Sequence, residues 1–296
     1  METMTPTTSH SPIHSIAVAA HPGLPEALAE CPRICAYLEE RGLRVMGGSL
    51  YDEKLRARVQ AGEFDVLLAL GGDGTMLRAA HLCAPLGIPV LGINLGHFGF
   101  LMQVQREDWT SAVDRMLLGE YWLENRMMLH VDHYRGEALM KSWDNVLNEV
   151  VVTRSELVRP LRLSASVDGY LLTTYVADAL IAATATGSTA YAMAAGGPIM
   201  PPELRNILIV PVAPHLSMDR AIILSEGATV SITVYTNYQA VVSVDGQAPL
   251  PMLNGDRVQV NCSGHTVRFI RFQDPGYFYR NLIAHMEQNP TRDLKP

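Results

Sequence analysis

The chain has 296 residues, 48% of them hydrophobic, with 23 Lys and Arg against 30 Asp and Glu, a formal net charge of −7. This length and apolar content fit one large or two ordinary packed domains and exclude a chain dominated by disorder. The acidic balance argues against a sequence-independent nucleic-acid binder, which needs a basic face, but leaves small anionic ligands open, because local donors hold those.

Residues 1–12, "METMTPTTSHSP", form a polar stretch without an apolar core and are expected to be a disordered tail. No apolar run reaches the length needed to span a bilayer. The expectation is a cytoplasmic protein that engages neither membrane nor nucleic acid. Of the four cysteines, Cys31 and Cys35 are four apart on a predicted helix and can share a face. No second Cys/His pair follows at zinc spacing, and Cys83 and Cys262 complete no disulfide framework, so a reducing compartment fits.

From residue 13 to about 120 the pattern alternates. "SIAVAA" (15–20) reads as a short buried strand. A helix over 25–41 follows, with Pro25 in its first turn and Gly42 as its stop. "LRVMGG" is a second strand. Residues 64–70 are continuously apolar, as in a strand covered on both faces. A glycine loop, a helix over about 75–86, a strand over 88–94 and an amphipathic helix over 107–118 complete the segment. Strands alternating with helices predict a Rossmann-like α/β domain with a parallel sheet. From 121 to 275 the period changes to two. Asp168-Gly169 and Asn254-Gly255 are hairpin turn signals, and "VDGQ" (244–247) reads only as another turn. An all-β, sandwich-like second domain is expected. A closing helix over about 276–289 is expected to pack back on the first domain.

The glycine loop is Leu70-Gly71-Gly72-Asp73-Gly74-Thr75. Glycines let backbone N–H groups approach phosphate oxygens, and the positive end of the following helix assists. The loop has neither the Gly-Lys-Ser/Thr of a P-loop nor the G-x-G-x-x-G spacing of a dinucleotide fingerprint. A carboxylate there repels bare polyphosphate. It becomes useful facing a phosphate-borne magnesium ion, or facing a hydroxyl that must lose its proton during phosphoryl transfer. On spacing alone, a plain Gly-Asp-Gly turn serves equally well. A second glycine segment, "GINLGHFGFL" (92–101), would end at the same carboxyl edge of the sheet, where ligands sit in such folds; His97 within it reads as a packing or surface residue.

In the second half, Asn148-Glu149 precedes an apolar strand. An amide can read an adenine edge and a carboxylate can accept from ribose hydroxyls, although a polar strand start explains the pair too. In "VADALIAATATGSTAYAMAAGGPI", Ser188 or Thr189 is the expected N-cap of a small-residue helix, and Tyr191 could stack on a base. Asp178 falls in an apolar strand and needs a partner, either a ligand amide or a backbone N–H. His215 sits in a proline-flanked loop.

Taken in order, "GGDGT" (71–75), "NLG" with "GFL" (94–101), "NE" (148–149), "TGSTAY" (186–191), "GGP" (196–198) and "PH" (214–215) resemble the NAD kinase family, bacterial type, over most of the chain. The resemblance implies a two-domain fold with a site between the domains, and transfer of a phosphoryl group from ATP, or polyphosphate, to the 2′-hydroxyl of NAD's adenosine ribose. It implies Asp73 as the base that also contacts NAD, and Gly71, Gly72, Gly74 and Thr75 around the donor phosphates, with Gly74 near NAD as well. Asn148 and Glu149 would hold adenine and ribose. Thr189, Ala190, Tyr191 and Ala194 would line the dinucleotide pocket, with Asp178 and His215 nearby. Magnesium would ride on the phosphates without direct protein ligands, and the protein would assemble as a homodimer or homotetramer. Ala179, Ala185, Ala192 and Ala194 depart from the Gly, Pro, Ser and Ser usual in the family, and Phe98 from its Leu. Rivals with shared features are a related lipid kinase and a non-enzymatic NAD(P) sensor.

Overall fold

Residues 11–96, 99–155, 159–215 and 218–287 are described by the computed structural model. The chain divides into two units, the first comprising residues up to Asn125 together with those from Val267 onward, the second Arg126–Thr266. His97 and Phe98 lie outside the described residues, as does nearly all of the N-terminal tail.

The first unit is an α/β layer. In chain order it contains β1 (Ser15–Ala20), α1 (Pro25–Glu39), β2 (Arg44–Ser49), α2 (Glu53–Gln60), β3 (Val66–Gly71), α3 (Asp73–Cys83), β4 (Val90–Asn94), β5 (Val104–Gln105) and α4 (Trp109–Leu117). The strands pair in parallel in the order β5-β4-β3-β1-β2. Every residue of β1, β3 and β4 is buried, the condition their almost wholly apolar sequences require. Ile16, Val18, Leu68, Leu70 and Ile93 pack with Ile34 and Leu38 of α1 and Val113 and Met116 of α4. α2 carries no clear sequence signal, since only Leu55 and Val59 are buried; the Asp52 side chain caps it through the Lys54 and Leu55 N–H groups.

The second unit is built of antiparallel strands. It contains β6 (Trp122–Arg135), which enters it at Arg126, then β7 (Ala138–Val146), β8 (Glu149–Arg154), β9 (Leu161–Val167), β10 (Tyr170–Ala177), β11 (Ala179–Ala183) and a short helix, α5 (Tyr191–Ala194). There follow β12 (Asn206–Val212), β13 (Ile222–Ser225), β14 (Val230–Tyr235), β15 (Ala240–Val244), β16 (Leu250–Met252) and β17 (Arg257–Arg271). One sheet runs β10-β9-β14-β17-β6-β7 and the other β13-β12-β11-β8-β15-β16. Burial alternates along β14 and β15, and the inward residues of both sheets, among them Leu163, Ala165, Ile232, Val150, Val152 and Val242, form one core. Asp168 and Gly169 take positive φ, 53° and 83°, which closes the β9–β10 hairpin with a turn that follows the sheet's twist. From Val267 the chain is back in the first unit, where α6 (Tyr277–Glu287) follows.

Candidate active site

β3 ends at Gly71 and α3 starts two residues later, at Asp73. The sequence reading began this helix at Thr75, whereas Asp73 itself occupies its first turn. The Gly72 carbonyl accepts from both Thr75 and Met76 N–H, so Asp73 and Gly74 are the first-turn residues whose N–H groups have no carbonyl a turn earlier to bond. A Cβ at Gly72 or Gly74 would meet nothing within 4 Å; these two glycines leave open space rather than relieve a clash. A cleft of about 420 Å³ lies over the loop, lined by His21, Leu24, the segment Gly72 to Thr75, Gly96 and Gly99. Thr75 is buried, and its hydroxyl has no partner among the described residues.

Asp73 is anchored. Its Oδ2 accepts from the Phe100 N–H at 2.7 Å and its Oδ1 from the Leu101 N–H at 3.0 Å. β4 pairs with β3 so that Asn94 lies opposite Gly71, which brings the second glycine segment alongside the first. Gly99 must be glycine at this closeness, because a Cβ there would overlap the Asp73 carboxylate. A helix N-terminus and two peptide N–H groups thus fix a negative charge in a glycine-lined cleft. Asn94 is buried and structural: its Oδ1 accepts from Gly96 N–H and its Nδ2 donates to Gln105.

In the second unit, Asn148 precedes β8 and Glu149 starts it, and what fixes them is a residue the sequence reading took for part of a turn. Asp245, at φ 47°, does sit in the β15–β16 turn. Its carboxylate also accepts from the N–H groups of Leu147 at 2.8 Å, Asn148 at 2.8 Å and Glu149 at 3.0 Å. Its own N–H donates to the Glu149 carbonyl. The only sequence signal for this was an Asp at the first central position of an Asp-Gly turn. Glu149 is buried, and its Oε2 has no partner among the described residues. Burial and the Asp245 charge raise its pKa to about 7, against a smaller lowering by the Tyr191 backbone N–H. A ligand hydroxyl or amide can supply the missing partner.

The Thr-Gly-Ser segment packs on this turn. Thr184 N–H donates to the Asn148 carbonyl and Thr184 Oγ1 to that of Leu147. Gly187 lies so close that a Cβ there would overlap the Asn148 carbonyl. Neither Ser188 nor Thr189 caps a helix, contrary to expectation. The Ser188 hydroxyl is buried, donating to the Ala185 carbonyl and accepting from Met200 N–H; Thr189 Oγ1 donates back to the Thr186 carbonyl. The segment forms one 3-10 turn, and α5 is only four residues long, preceded by Ala190 without a side-chain cap. Serine and threonine here bond backwards to carbonyls, a local alternative that competes with capping. Tyr191 is 43% exposed, which leaves its ring available for stacking. Ala179, Ala185 and Ala192 are buried in an apolar cluster with Ile181 and Met200, where a serine hydroxyl at 192 would need a partner; Ala194 is exposed.

Asp178 lies in the break between β10 and β11, not inside a strand. Within the chain its carboxylate pairs with Arg154, Nη2 meeting Oδ2 at 2.7 Å, and not with a backbone N–H. His215 is exposed, and its N–H donates to the Val176 carbonyl at 2.7 Å. The predicted residues thus gather into two clusters: Gly71 to Thr75 on the first unit, and Asn148 and Glu149 with Thr186 to Tyr191 on the second. Among the described residues no group of three or more His, Cys, Asp or Glu is gathered to hold a metal, and no helix is long and apolar enough to cross a membrane.

Residues 49–121 match the family model of the ATP-NAD kinase N-terminal domain, and residues 147–272 that of the ATP-NAD kinase C-terminal domain. These matches define the class of the protein: a kinase assembled from these two domains. An NAD kinase of Chloroflexus aurantiacus is 35% identical over 94% of this chain and all of its own. One of Heliobacterium modesticaldum is 37% identical over 93% of this chain and 99% of its own. The chain belongs to the NAD kinase family and is an enzyme of that family. Solved structures share the fold: yeast NADH kinase complexed with NADH (TM-score 0.82, 21% identity, 97% of this chain and 91% of that one) and an NAD kinase from Archaeoglobus fulgidus in complex with ATP (TM-score 0.70, 24% identity, 92% and 98%).

Proposed function

We propose that the protein phosphorylates the 2′-hydroxyl of the adenosine ribose of NAD, with ATP as donor, and that Asp73 is the base. The observation that carries this reading is the anchored Asp73 carboxylate in the glycine-lined cleft. Held by two N–H groups, the carboxylate keeps lone pairs for the substrate hydroxyl. The 2′-O–H proton passes to Asp73, the oxygen forms a bond to the γ-phosphorus, and the bond from that phosphorus to the β,γ-bridging oxygen breaks, releasing ADP. Gly71, Gly72 and Gly74 hold the donor phosphates through backbone N–H groups at the positive end of α3, and Thr75 through its unpartnered hydroxyl.

Asn148 reads the adenine edge, Glu149 takes a ribose hydroxyl on its unpartnered oxygen, and Tyr191 stacks on the base beside Thr189, Ala190 and Ala194. Asp178, oriented by Arg154, and His215 complete the NAD contacts. Magnesium fits here as an ion carried by the donor phosphates without direct protein ligands: the open space over Gly72 and Gly74 leaves room for it. When bound, it would neutralise charge on the transferring group. The protein works in the cytoplasm as a homodimer or homotetramer, which light scattering tests.

The test is incubation of purified protein with NAD, ATP and Mg²⁺, coupled to an NADP-specific dehydrogenase. NADP forms with the wild type, and Asp73→Asn retains NAD binding but loses most turnover. Full turnover by Asp73→Asn would remove the aspartate from the role of base.

A further inference from the structure

Directly behind the Asp73 anchor lies a buried ion pair that the reaction outlined above does not use. Arg271, at the end of β17, is fully buried. Its Nε donates to Glu124 Oε2 at 2.8 Å and its Nη1 to the Leu101 carbonyl at 2.8 Å. Glu124 is held from its other side by the Tyr277 hydroxyl of α6, 3.0 Å from Oε1 and 3.1 Å from Oε2. The rings of Phe269 and Tyr277 each lie 5.2 Å from the guanidinium carbon.

Leu101 is gripped at both ends of the residue. Its carbonyl takes the Arg271 bond, and its N–H gives the bond to Asp73 Oδ1. The preceding N–H, of Phe100, holds the other Asp73 oxygen, and Gly99 leaves no room for the carboxylate to shift toward the chain. Burial opposes the Arg271 charge, and Glu124 first, then Tyr277 and last Asp73, outweigh it. Stability does not account for such a pair, because a buried ion pair can often be replaced by apolar side chains at no cost. Lysine would not reproduce this arrangement: the guanidinium holds the carboxylate through Nε and the carbonyl through Nη1, two nitrogens fixed in one plane, whereas an ammonium offers a single nitrogen.

The geometry points to Arg271 as the positioning residue for Asp73: clamped by Glu124, it fixes the Leu101 backbone and so sets where the Asp73 carboxylate stands. This rests on the reading of Asp73 as base. Placement errors of about 1 Å at a reacting group cost about 100-fold in rate. Arg271→Lys keeps the charge but loses the fork, and is expected to lower kcat about 10- to 100-fold while KM for NAD and for ATP stays within threefold. A purely structural role would reduce the folded fraction and leave kcat per folded molecule, counted by nucleotide binding, unchanged. Should Arg271→Lys not fold, Glu124→Leu/Arg271→Met removes both charges together and should show the same kcat loss at unchanged KM. Asp73→Asn is run alongside. If it loses turnover while the Arg271 variants keep kcat within threefold of wild type, the positioning role is overturned and the base assignment stands. If Asp73→Asn keeps turnover, the base assignment falls, and the positioning role with it.

Discussion

Replacing Glu149 with glutamine should make the protein less sensitive to alkaline pH. The carboxyl group is buried beside the Asp245 carboxylate, with one oxygen unpartnered and a pKa raised from 4.5 to about 7. Each tenfold change in acid dissociation is about 1.4 kcal/mol, so holding Glu149 ionised costs the folded state up to about 3.5 kcal/mol. The folded state keeps this proton where the unfolded chain has released it. The resulting stability is intact below about pH 4.5, declines as pH rises, and is gone above about 7. Glutamine has the same shape, keeps an acceptor for the Tyr191 N–H and cannot ionise. Urea unfolding of both proteins from pH 5 to pH 8 should therefore show the variant gaining on the wild type by about 2 to 3 kcal/mol. Taking the difference between the two cancels every other group that titrates over this range. A difference that stays flat within about 0.5 kcal/mol would refute the assignment of a high pKa to this carboxyl.

Three further substitutions probe other parts of the two clusters. Gly99→Ala puts a methyl group where the Asp73 carboxylate stands; kcat should fall at least about 10-fold with smaller changes in KM, by steady-state kinetics. Asp245→Ala leaves the Leu147, Asn148 and Glu149 N–H groups without their acceptor, and should cost about 2 to 5 kcal/mol in denaturant unfolding as well as raise KM for NAD. Ala194→Ser restores a hydroxyl at an exposed position; one neutral hydrogen bond is worth about 0.5–1.5 kcal/mol, so calorimetry should show NAD binding a few-fold tighter.

Much of this architecture was legible because burial left a local signature. β1, β3 and β4 are apolar at every position or nearly so, as strands covered on both faces must be, and the alternation along β14 and β15 follows from one covered face. Asp168-Gly169 gave the β9–β10 turn because few other residue pairs tolerate positive φ twice in succession. α2 left no such trace, since two buried side chains make no periodicity. The Thr-Gly-Ser segment misled for a related reason. Ser188 has the composition of a cap, but its hydroxyl bonds to Ala185 and Met200, and the contact with Met200 is set by tertiary packing, not by neighbours in sequence.

The acidic residues show most clearly where a sequence runs out. Asp73, Glu149, Asp178 and Asp245 are alike as letters and differ in what holds them. Asp73 takes two N–H groups from a segment 27 and 28 residues away and sits in a cleft. Asp245 takes three from residues 96 to 98 positions away and is consumed by them. Asp178 has an arginine. Glu149 has one N–H and a neighbouring negative charge. A carboxylate's chemistry is set by the donors around it, since these decide whether it stays ionised and how many lone pairs remain for a ligand. Those donors are backbone groups and distant side chains, which no local pattern encodes. The four therefore differ in what is left over: Asp245 is taken up by three N–H groups and Asp178 is oriented by Arg154, while Asp73 keeps lone pairs in its cleft and Glu149 keeps an oxygen without a partner among the described residues, which is the capacity the proposed reaction draws on.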